Sequence, residues 1–150
     1  MDDDLPNIRH LRVFREVAHL HSISLAARKV HLSQPAVTQA IGKLEKDLGV
    51  PLLDRRRDGL FPTSAGTGFL ARVERALDHL HTGARQALRL ANRSEVRGFA
   101  NFDELVTTAQ LRALAALSEA RNFSIAARHL GLSQPTLHRS ARNLESLSGL

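Results

Sequence analysis

The chain has 150 residues, 43% of them hydrophobic, which suffices for one domain or two small domains with a buried core. Its 21 Lys and Arg outnumber 15 Asp and Glu, and Arg supplies 18 of the 21 cations, so the balance favours a phosphate-bearing or base-edge partner. The absence of Cys excludes disulfides, thiolate catalysis and zinc–thiolate fingers. The acidic start MDDDLPN is unlike a signal peptide, and no apolar run reaches the ~18 residues of a membrane helix. We therefore expect a cytoplasmic protein without membrane contact.

Three helices are predicted in the first third of the chain. Apolar residues at helical spacing indicate a first helix from about Ile8 to Leu20, with Asn7 as its N-cap. A short second helix begins near Ser24 and ends by Val30. The third begins after Ser33, which can cap it, and stops at Gly49. Its core stripe consists of Val37, Ile41, Leu44 and Leu48.

The turn between the second and third helices is predicted to need a residue with positive φ. His31 occupies this turn, and we interpret it as a turn residue rather than a ligand or base. A short helix, a tight turn and a longer helix with one apolar stripe direct the opposite face of the longer helix outward, as in helices that fill a DNA major groove. Amides on that face can pair with adenine, methyl groups can contact thymine, and Lys can contact phosphate. The outward residues are Gln34, Pro35, Ala36, Thr38, Gln39 and Lys43. A merely solvated face is the alternative, although such faces are usually rich in Glu and Lys.

A β-hairpin wing is predicted in the segment PLLDRRRDGLFPT, because apolar pairs flank an Asp58-Gly59 turn signal. The hairpin carries Arg55, Arg56 and Arg57. Arginines on a wing can enter the minor groove or bind phosphate, and we take Arg55 and Arg56 as binding candidates. A solubilising charge run is the alternative, more so for Arg56 and Arg57 than for Arg55.

A long helix is predicted from the Thr63 cap to about Asn92, roughly 43 Å at 1.5 Å per residue. Apolar residues follow it at alternating spacings of three and four, which is typical of a heptad seam. The seam consists of Leu70, Val73, Leu77, Leu80, Ala84, Ala87 and Ala91. The helix is too long for a domain of ~60 residues to cover, so we expect it to form a dimer interface. Packing on its own domain is the alternative.

The end of the chain repeats its beginning. Residues 111–150 align with residues 11–50 without a gap, and 13 of the 40 positions are identical. The repeat predicts a second helix-turn-helix, with Thr107-x-x-Gln110 as a capping box and Gly131 at the turn position of His31. Its candidate DNA-binding face comprises Ser133, Gln134, Pro135, Thr136, His138, Arg139 and Arg142. Residues 98–150 carry five basic and four acidic residues and include no wing, so packing or dimerisation is an equally open role.

The first copy resembles the N-terminal domain of LysR-type transcriptional regulators from residue 5 to residue 92. The resemblance rests on Ala26-Ala27, Ser33-Gln34-Pro35-Ala36-Val37-Thr38, Leu44-Glu45, Leu48-Gly49, Leu53-Asp54-Arg55 and Thr63-Ser64-Ala65-Gly66. It implies a winged helix-turn-helix that dimerises through its linker helix and binds an interrupted palindrome in bacterial promoters. It further implies base contacts from Gln34, Pro35, Thr38 and Gln39, backbone contacts from Ser33 and Lys43, and a groove contact from Arg55. Ser24 and Arg28 complete the DNA-binding candidates.

The chain departs from the family pattern in three ways. Gly42 stands where the family often has a basic residue, which removes a phosphate contact. The chain has no room for the family's effector-binding domain, so the sequence gives no basis for proposing an inducer pocket. It also stops just before a second wing, so we expect it to be a fragment of a longer protein.

The sequence thus predicts an all-α, mainly helical protein: a winged helix-turn-helix in residues 1–62, a linker helix in residues 63–97 and a truncated second helix-turn-helix in residues 98–150. We predict a sequence-specific transcriptional regulator that binds double-stranded DNA as a homodimer, or as a tetramer, without cofactor, metal or catalytic residues. The alternative is a tandem helix-turn-helix scaffold that binds protein. An enzyme ranks third, because no carboxylate pair, nucleophile–base constellation or phosphate loop is evident.

Overall fold

The computed structural model describes residues 5–90, 102–120 and 122–148. The chain divides into two compact units, unit 1 (Met1–His79) and unit 2 (Leu80–Leu150), and one long helix crosses the boundary. The predicted fold class is confirmed, since helices predominate in these described ranges and a two-stranded hairpin accompanies them. Among the helices of the described ranges, none combines the length and apolarity that a bilayer crossing requires.

Unit 1 contains three helices, a hairpin and the start of the long helix. Its elements are α1 (Ile8–Leu20), α2 (Ile23–Lys29), α3 (Gln34–Leu48), β1 (Leu53–Arg56), β2 (Gly59–Pro62) and α4 (Ser64–Leu90). The predicted caps are confirmed at Asn7, which accepts from the Arg9 amide at 2.9 Å, and at Ser33, which accepts from the Ala36 amide at 3.3 Å. Gly49 ends α3 at φ 69°, and His31 adopts φ 54° in the turn before α3, as the sequence predicts.

The core of unit 1 lies between α1, α2, α3 and the first turns of α4. Its fully buried side chains include Val13, Phe14, Val17, Val37, Leu44 and Leu52. Phe14 on α1 and Phe69 on α4 are in ring contact with centroids 5.4 Å apart, and His19 pairs with Glu74 at 2.8 Å. The first half of α4 therefore packs on α1 within unit 1.

The junction between hairpin and linker helix is closed by hydrogen bonds around Thr63. Its hydroxyl donates to the Pro51 carbonyl at 2.8 Å and accepts from the Gly66 amide at 2.9 Å, while its amide donates to the Leu52 carbonyl at 3.0 Å. The predicted cap of the linker helix is thus confirmed. A Cβ on Gly66 would collide with the carbonyl oxygen of Leu52, so this approach of α4 to the chain requires glycine.

Unit 2 repeats the three-helix pattern after a short entry helix. Its elements after α4 are α5 (Phe102–Leu105), α6 (Thr108–Ala120), α7 (Phe123–His129) and α8 (Gln134–Ser148). The predicted capping box is confirmed: the Thr107 amide donates to Gln110 Oε1 at 2.8 Å, and the Gln110 amide donates to Thr107 Oγ1 at 3.3 Å. Gly131 takes φ 63° in the turn before α8. The second helix-turn-helix predicted from the repeat is therefore present.

Two apolar clusters hold unit 2 together. The first joins α6, α7 and α8 around Ala113, Ala126 and Leu137. The second surrounds Ala84, Phe102 and Val106. Its half-buried members are Leu80, Ala87, Leu88, Leu111, Leu144 and Leu147. The last turns of α4 therefore form part of the core of unit 2.

Candidate nucleic-acid interface

The α2–α3 turn fixes the orientation of α3. The Leu32 amide donates to the Ala27 carbonyl at 2.9 Å, and the His31 amide donates to the Arg28 carbonyl at 3.3 Å. Ala26 and Val37 are fully buried, so the small alanine lets α2 and α3 approach closely. The start of α3 is thereby directed away from the core.

Five of the predicted DNA-binding side chains line one open, concave surface. Gln34, Pro35, Thr38 and Gln39 come from α3, and Arg55 comes from the wing. Ile23, the first residue of α2, also lines this surface and was not predicted from the sequence. Helix α3 and the wing therefore contribute to a continuous surface that bears two amides, a hydroxyl, a guanidinium and apolar groups. We call it the unit 1 surface.

The remaining predicted side chains of unit 1 have contacts of their own. Arg28 donates to Ser24 at 3.5 Å on α2, and Lys43 forms an ion pair with Asp47 at 2.7 Å. Ser33 caps α3, and Ala36 is half-buried. None of these residues lies on the unit 1 surface, so they flank it rather than form it.

His10 on α1 is influenced electrostatically by Lys43 and Asp47 of α3. Burial lowers the pKa of His10, and the positive charges of Lys43 and Arg9 act in the same direction, while the Asp47 carboxylate opposes them. His10 therefore resists protonation at neutral pH and adds little positive charge beside α3.

The wing is an antiparallel hairpin anchored to the end of α1. Its strands pair Arg55 with Leu60 and Arg56 with Gly59. His21 adopts φ 54°, its carbonyl accepts from the Leu60 amide at 2.9 Å, and its Nδ1 donates to the Leu60 carbonyl at 3.1 Å. Its ring also stacks on Phe61 with a 4.2 Å centroid separation. These contacts hold β2, the second strand of the wing, against the end of α1.

The three wing arginines have different surroundings. The guanidinium of Arg56 lies 5.0 Å from the ring centroid of Phe61, which is cation–π geometry. Arg55 lines the unit 1 surface, and Arg57 is exposed in the turn between β1 and β2. Of the three wing arginines, Arg55 is therefore the one that shares a surface with side chains of α3.

Glu45 is a further structural determinant of this interface that sequence reasoning passed over. Its Oε1 accepts from the Leu52 amide at 2.8 Å and from the Leu53 amide at 3.2 Å. The carboxylate therefore ties α3 to the start of β1. The resemblance includes Leu44-Glu45, but nothing in that dipeptide indicates a bond seven residues further along the chain.

The corresponding face of unit 2 is also exposed, with other contacts. Gln134 donates to the Ser124 hydroxyl at 2.6 Å, and His138 stacks on Phe123 with ring centroids 4.0 Å apart. Ser133 and Thr136 share a hydroxyl hydrogen bond at 2.8 Å. Pro135, Arg139 and Arg142 are exposed. The α7–α8 face therefore presents an aromatic stack and two arginines, and we call it the unit 2 surface.

The predicted dimer seam is partly covered by the chain itself. Val73 and Leu77 are 2% and 7% exposed within unit 1, and Ala84 is 7% exposed within unit 2. Leu70, Leu80 and Ala87 are half-buried, and Ala91 lies outside the described residues. The buried residues Val73, Leu77 and Ala84 can contribute little surface area to an interface with another chain. The dimer role of the seam stays a prediction.

A short helix and a longer recognition helix across a tight turn, followed by a two-stranded wing, define a winged helix-turn-helix DNA-binding domain. The sequence of the chain matches the protein-family model for bacterial regulatory helix-turn-helix proteins of the LysR family at residues 8–67 and again at residues 108–150. The chain belongs to the LysR family, and both of its units carry the family's helix-turn-helix.

Similar proteins of known sequence are transcriptional regulators. The regulator GalR of Pseudomonas putida is 34% identical over 149 residues, which cover 99% of this chain and 36% of GalR. The regulator ClcR of Pseudomonas putida is 44% identical over 88 residues, covering 59% of this chain and 30% of ClcR. The chain spans about a third of the length of these curated relatives. The similarity to GalR includes both units, whereas that to ClcR covers little more than half of the chain.

Similar solved structures include complexes with DNA. The CbnR DNA-binding domain in complex with DNA is 35% identical, with a TM-score of 0.52 over 57% of this chain and 98% of that chain. The BenM DNA-binding domain with benA site 1 DNA is 31% identical, with a TM-score of 0.53 over 56% of this chain and 98% of that chain.

Proposed function

We propose that this chain is the DNA-reading part of a LysR-type transcriptional regulator, and that unit 1 places the start of α3 in the major groove of promoter DNA with the wing at the minor groove. The observation that carries this proposal is the unit 1 surface, where Gln34, Pro35, Thr38 and Gln39 of α3 lie beside Arg55 of the wing. A role at bacterial promoter DNA also requires a cytoplasmic location.

The side chains of the unit 1 surface suit base edges. Gln34 and Gln39 carry amides that can donate to N7 and accept from N6 of adenine. The Thr38 hydroxyl donates to the Gln34 carbonyl at 3.1 Å, which satisfies its proton within the helix and leaves its methyl group as the group suited to thymine. Arg55 suits a narrow minor groove or a phosphate. This set of side chains favours contacts with adenine–thymine pairs over guanine–cytosine pairs.

The charge around the unit 1 surface supports a polyanionic partner. Residues 22–43 include Arg28, Lys29 and Lys43 and no Asp or Glu. Arg55, Arg56 and Arg57 add three cations on the wing. Each cation that neutralises a phosphate releases a counterion, so the affinity should fall steeply as salt rises.

We further propose that two chains bind together as a homodimer on a two-fold symmetric site. One helix-turn-helix reads only a half-site, and symmetric operators mirror the symmetry of a protein dimer. The long α4, with 27 residues, offers the length for a helix–helix contact. Among the six seam residues that the structure describes, Leu70, Leu80 and Ala87 are half-buried and retain the most accessible area.

The double substitution Gln34→Ala with Thr38→Ala tests the reading role. We expect the affinity ratio between a duplex selected from a random pool and a scrambled duplex to fall at least about tenfold, because a good bidentate base contact is worth ~1–3 kcal/mol of discrimination. Binding to the scrambled duplex should hardly change, since no charge is removed. Fluorescence anisotropy with labelled duplexes measures both affinities.

Thr67→Ala is the matched control for this substitution. Thr67 lies on α4, is exposed, and donates to a carbonyl four residues earlier at 3.0 Å, as Thr38 does. It does not line the unit 1 surface. An unchanged affinity ratio in the double variant would contradict the reading role and favour a scaffold that binds protein.

A further inference from the structure

We propose that unit 2 is a second DNA-reading head and that its helix α8 selects guanine where α3 of unit 1 selects adenine. The inference rests on the proposed function of unit 1 and extends it to another half-site. It is carried by the exposed Arg139 and Arg142 on the unit 2 surface, at the repeat positions of Gln39 and Gly42.

The two units hold their recognition helices in the same way. The Leu132 amide donates to the Ala127 carbonyl at 2.9 Å, and the Gly131 amide donates to the Arg128 carbonyl at 3.1 Å. The same two bonds close the turn of unit 1 at the positions 100 residues earlier. Ala126 and Leu137 are fully buried, as are their counterparts in unit 1. The start of α8 is therefore directed away from its core as the start of α3 is.

The charge of unit 2 is distributed as a DNA-binding face requires. Residues 122–143 include Arg128, Arg139 and Arg142 and no Asp or Glu. The corresponding residues 22–43 of unit 1 also have three cations and no carboxylate. The low net charge of residues 98–150 arises elsewhere, because its acidic residues lie on α5, at the end of α6 and late in α8. They are Asp103, Glu104, Glu119 and Glu145.

The differences between the units predict a different base preference. Arg139 replaces the amide of Gln39 with a guanidinium, and the bidentate partner of Arg in the major groove is guanine O6 and N7. Arg142 replaces Gly42 and supplies a cation that α3 lacks at this position, which suits phosphate. These arginines lie on the recognition helix itself, whereas the arginine cluster of unit 1 lies on its wing.

The aromatic stack of unit 2 shapes the same face. His138 and Phe123 occupy the positions of Thr38 and Ile23, and their rings lie 4.0 Å apart and nearly parallel. The stack fixes the His138 ring beside Arg139, while Gln134 is held by Ser124 at 2.6 Å. Fewer rotamers therefore remain to be ordered on binding, which favours a specific contact over a diffuse electrostatic one.

The test exchanges the reading side chains between the units. The wild-type chain, Arg139→Gln and Gln39→Arg are each incubated with a random duplex pool at physiological salt, and the retained duplexes are sequenced. We expect two kinds of half-site from the wild type. Arg139→Gln should deplete the half-site with guanine, which α8 reads, at least about tenfold and enrich adenine in place of that guanine. Gln39→Arg should instead enrich guanine in place of adenine in the half-site that α3 reads.

Arg85→Gln is the control, because it removes an exposed arginine of unit 2 that belongs to α4 and not to α7 or α8. Thermal unfolding followed by circular dichroism verifies that each variant is folded.

The possible results separate the two proposals. A single kind of half-site that responds to Gln39→Arg but not to Arg139→Gln would overturn the second reading head and leave the role of unit 1 intact. A change of oligomeric state in Arg139→Gln, with the retained motif unchanged, would overturn it in favour of a protein-binding face. Retention by the wild type without base preference would overturn both.

Discussion

Gly66→Ala is expected to lower the free energy of unfolding of the chain by about 2–3 kcal/mol. The added methyl group would collide with the Leu52 carbonyl oxygen, a backbone atom that cannot rotate away. Leu52 is itself 1% exposed and its carbonyl accepts from the Thr63 amide, so relief requires a shift of the whole junction between wing and linker helix. Ala favours a helix by about 1 kcal/mol over Gly, which offsets only part of this cost.

Gly68→Ala is the matched control for this prediction. Gly68 lies two residues further along α4 and is exposed. Apart from its chain neighbours and the backbone of its own helical turns, nothing in the described part of the chain lies within 4 Å of a Cβ placed there. We expect this variant to gain up to about 1 kcal/mol. Urea denaturation followed by circular dichroism measures both variants, since the chain has neither Trp nor Tyr to report by fluorescence. A stabilising effect of both substitutions would contradict the close approach of α4 to Leu52.

Glu45→Ala is expected to cost about 3 kcal/mol of unfolding free energy. The substitution removes a carboxylate that accepts from two backbone amides, at 2.8 and 3.2 Å, and leaves the amide of the buried Leu52 without this acceptor. Hydrogen bonds to charged groups contribute about 1.5–3 kcal/mol each, and a buried donor left unsatisfied costs about 1–3 kcal/mol.

Two further variants make the Glu45 prediction specific. Glu45→Gln keeps a neutral acceptor oxygen and should lose less than half as much stability as Glu45→Ala. Lys46→Ala, at the exposed neighbouring position, should change the unfolding free energy by less than about 0.5 kcal/mol. If Glu45→Ala proved as mild as Lys46→Ala, the carboxylate would not be what ties α3 to the wing.

Local signals in the sequence were sufficient to predict the helix-turn-helix of unit 1, whereas α5 of unit 2 was not predicted. The caps at Asn7 and Ser33, the capping box of Thr107 and Gln110, and the turn residue His31 each act within four residues, and all are confirmed. The repeat extended the same reasoning to unit 2. Short-range hydrogen bonding determines these features, so they can be inferred without knowledge of the tertiary fold.

Contacts between distant segments could not be inferred in this way. His21 holds the wing from 39 residues away, and Ile23 reaches the unit 1 surface only because α2 packs beside α3. The positive φ of His21 occurs at a helix end where Gly is usual, so the sequence offered little signal for it.

The linker seam illustrates the same limit. Its heptad spacing predicts that a helix packs against something, but it does not specify the partner. In the structure, Phe102 and Val106 of the same chain cluster with Ala84. Spacing alone could not indicate that Phe102 and Val106, which follow the linker helix in the sequence, supply this cover.

Selection of the wild-type chain on a random duplex pool at physiological salt tests the central claim most directly. If unit 1 reads DNA as a homodimer, the retained duplexes should share a two-fold symmetric site whose half-sites lie about one helical turn apart. The logarithm of the binding constant between the chain and these duplexes should fall linearly with the logarithm of the salt concentration, since each phosphate contact releases a counterion. Retention without sequence preference would contradict the claim, because it would leave only electrostatic attraction between a basic chain and DNA.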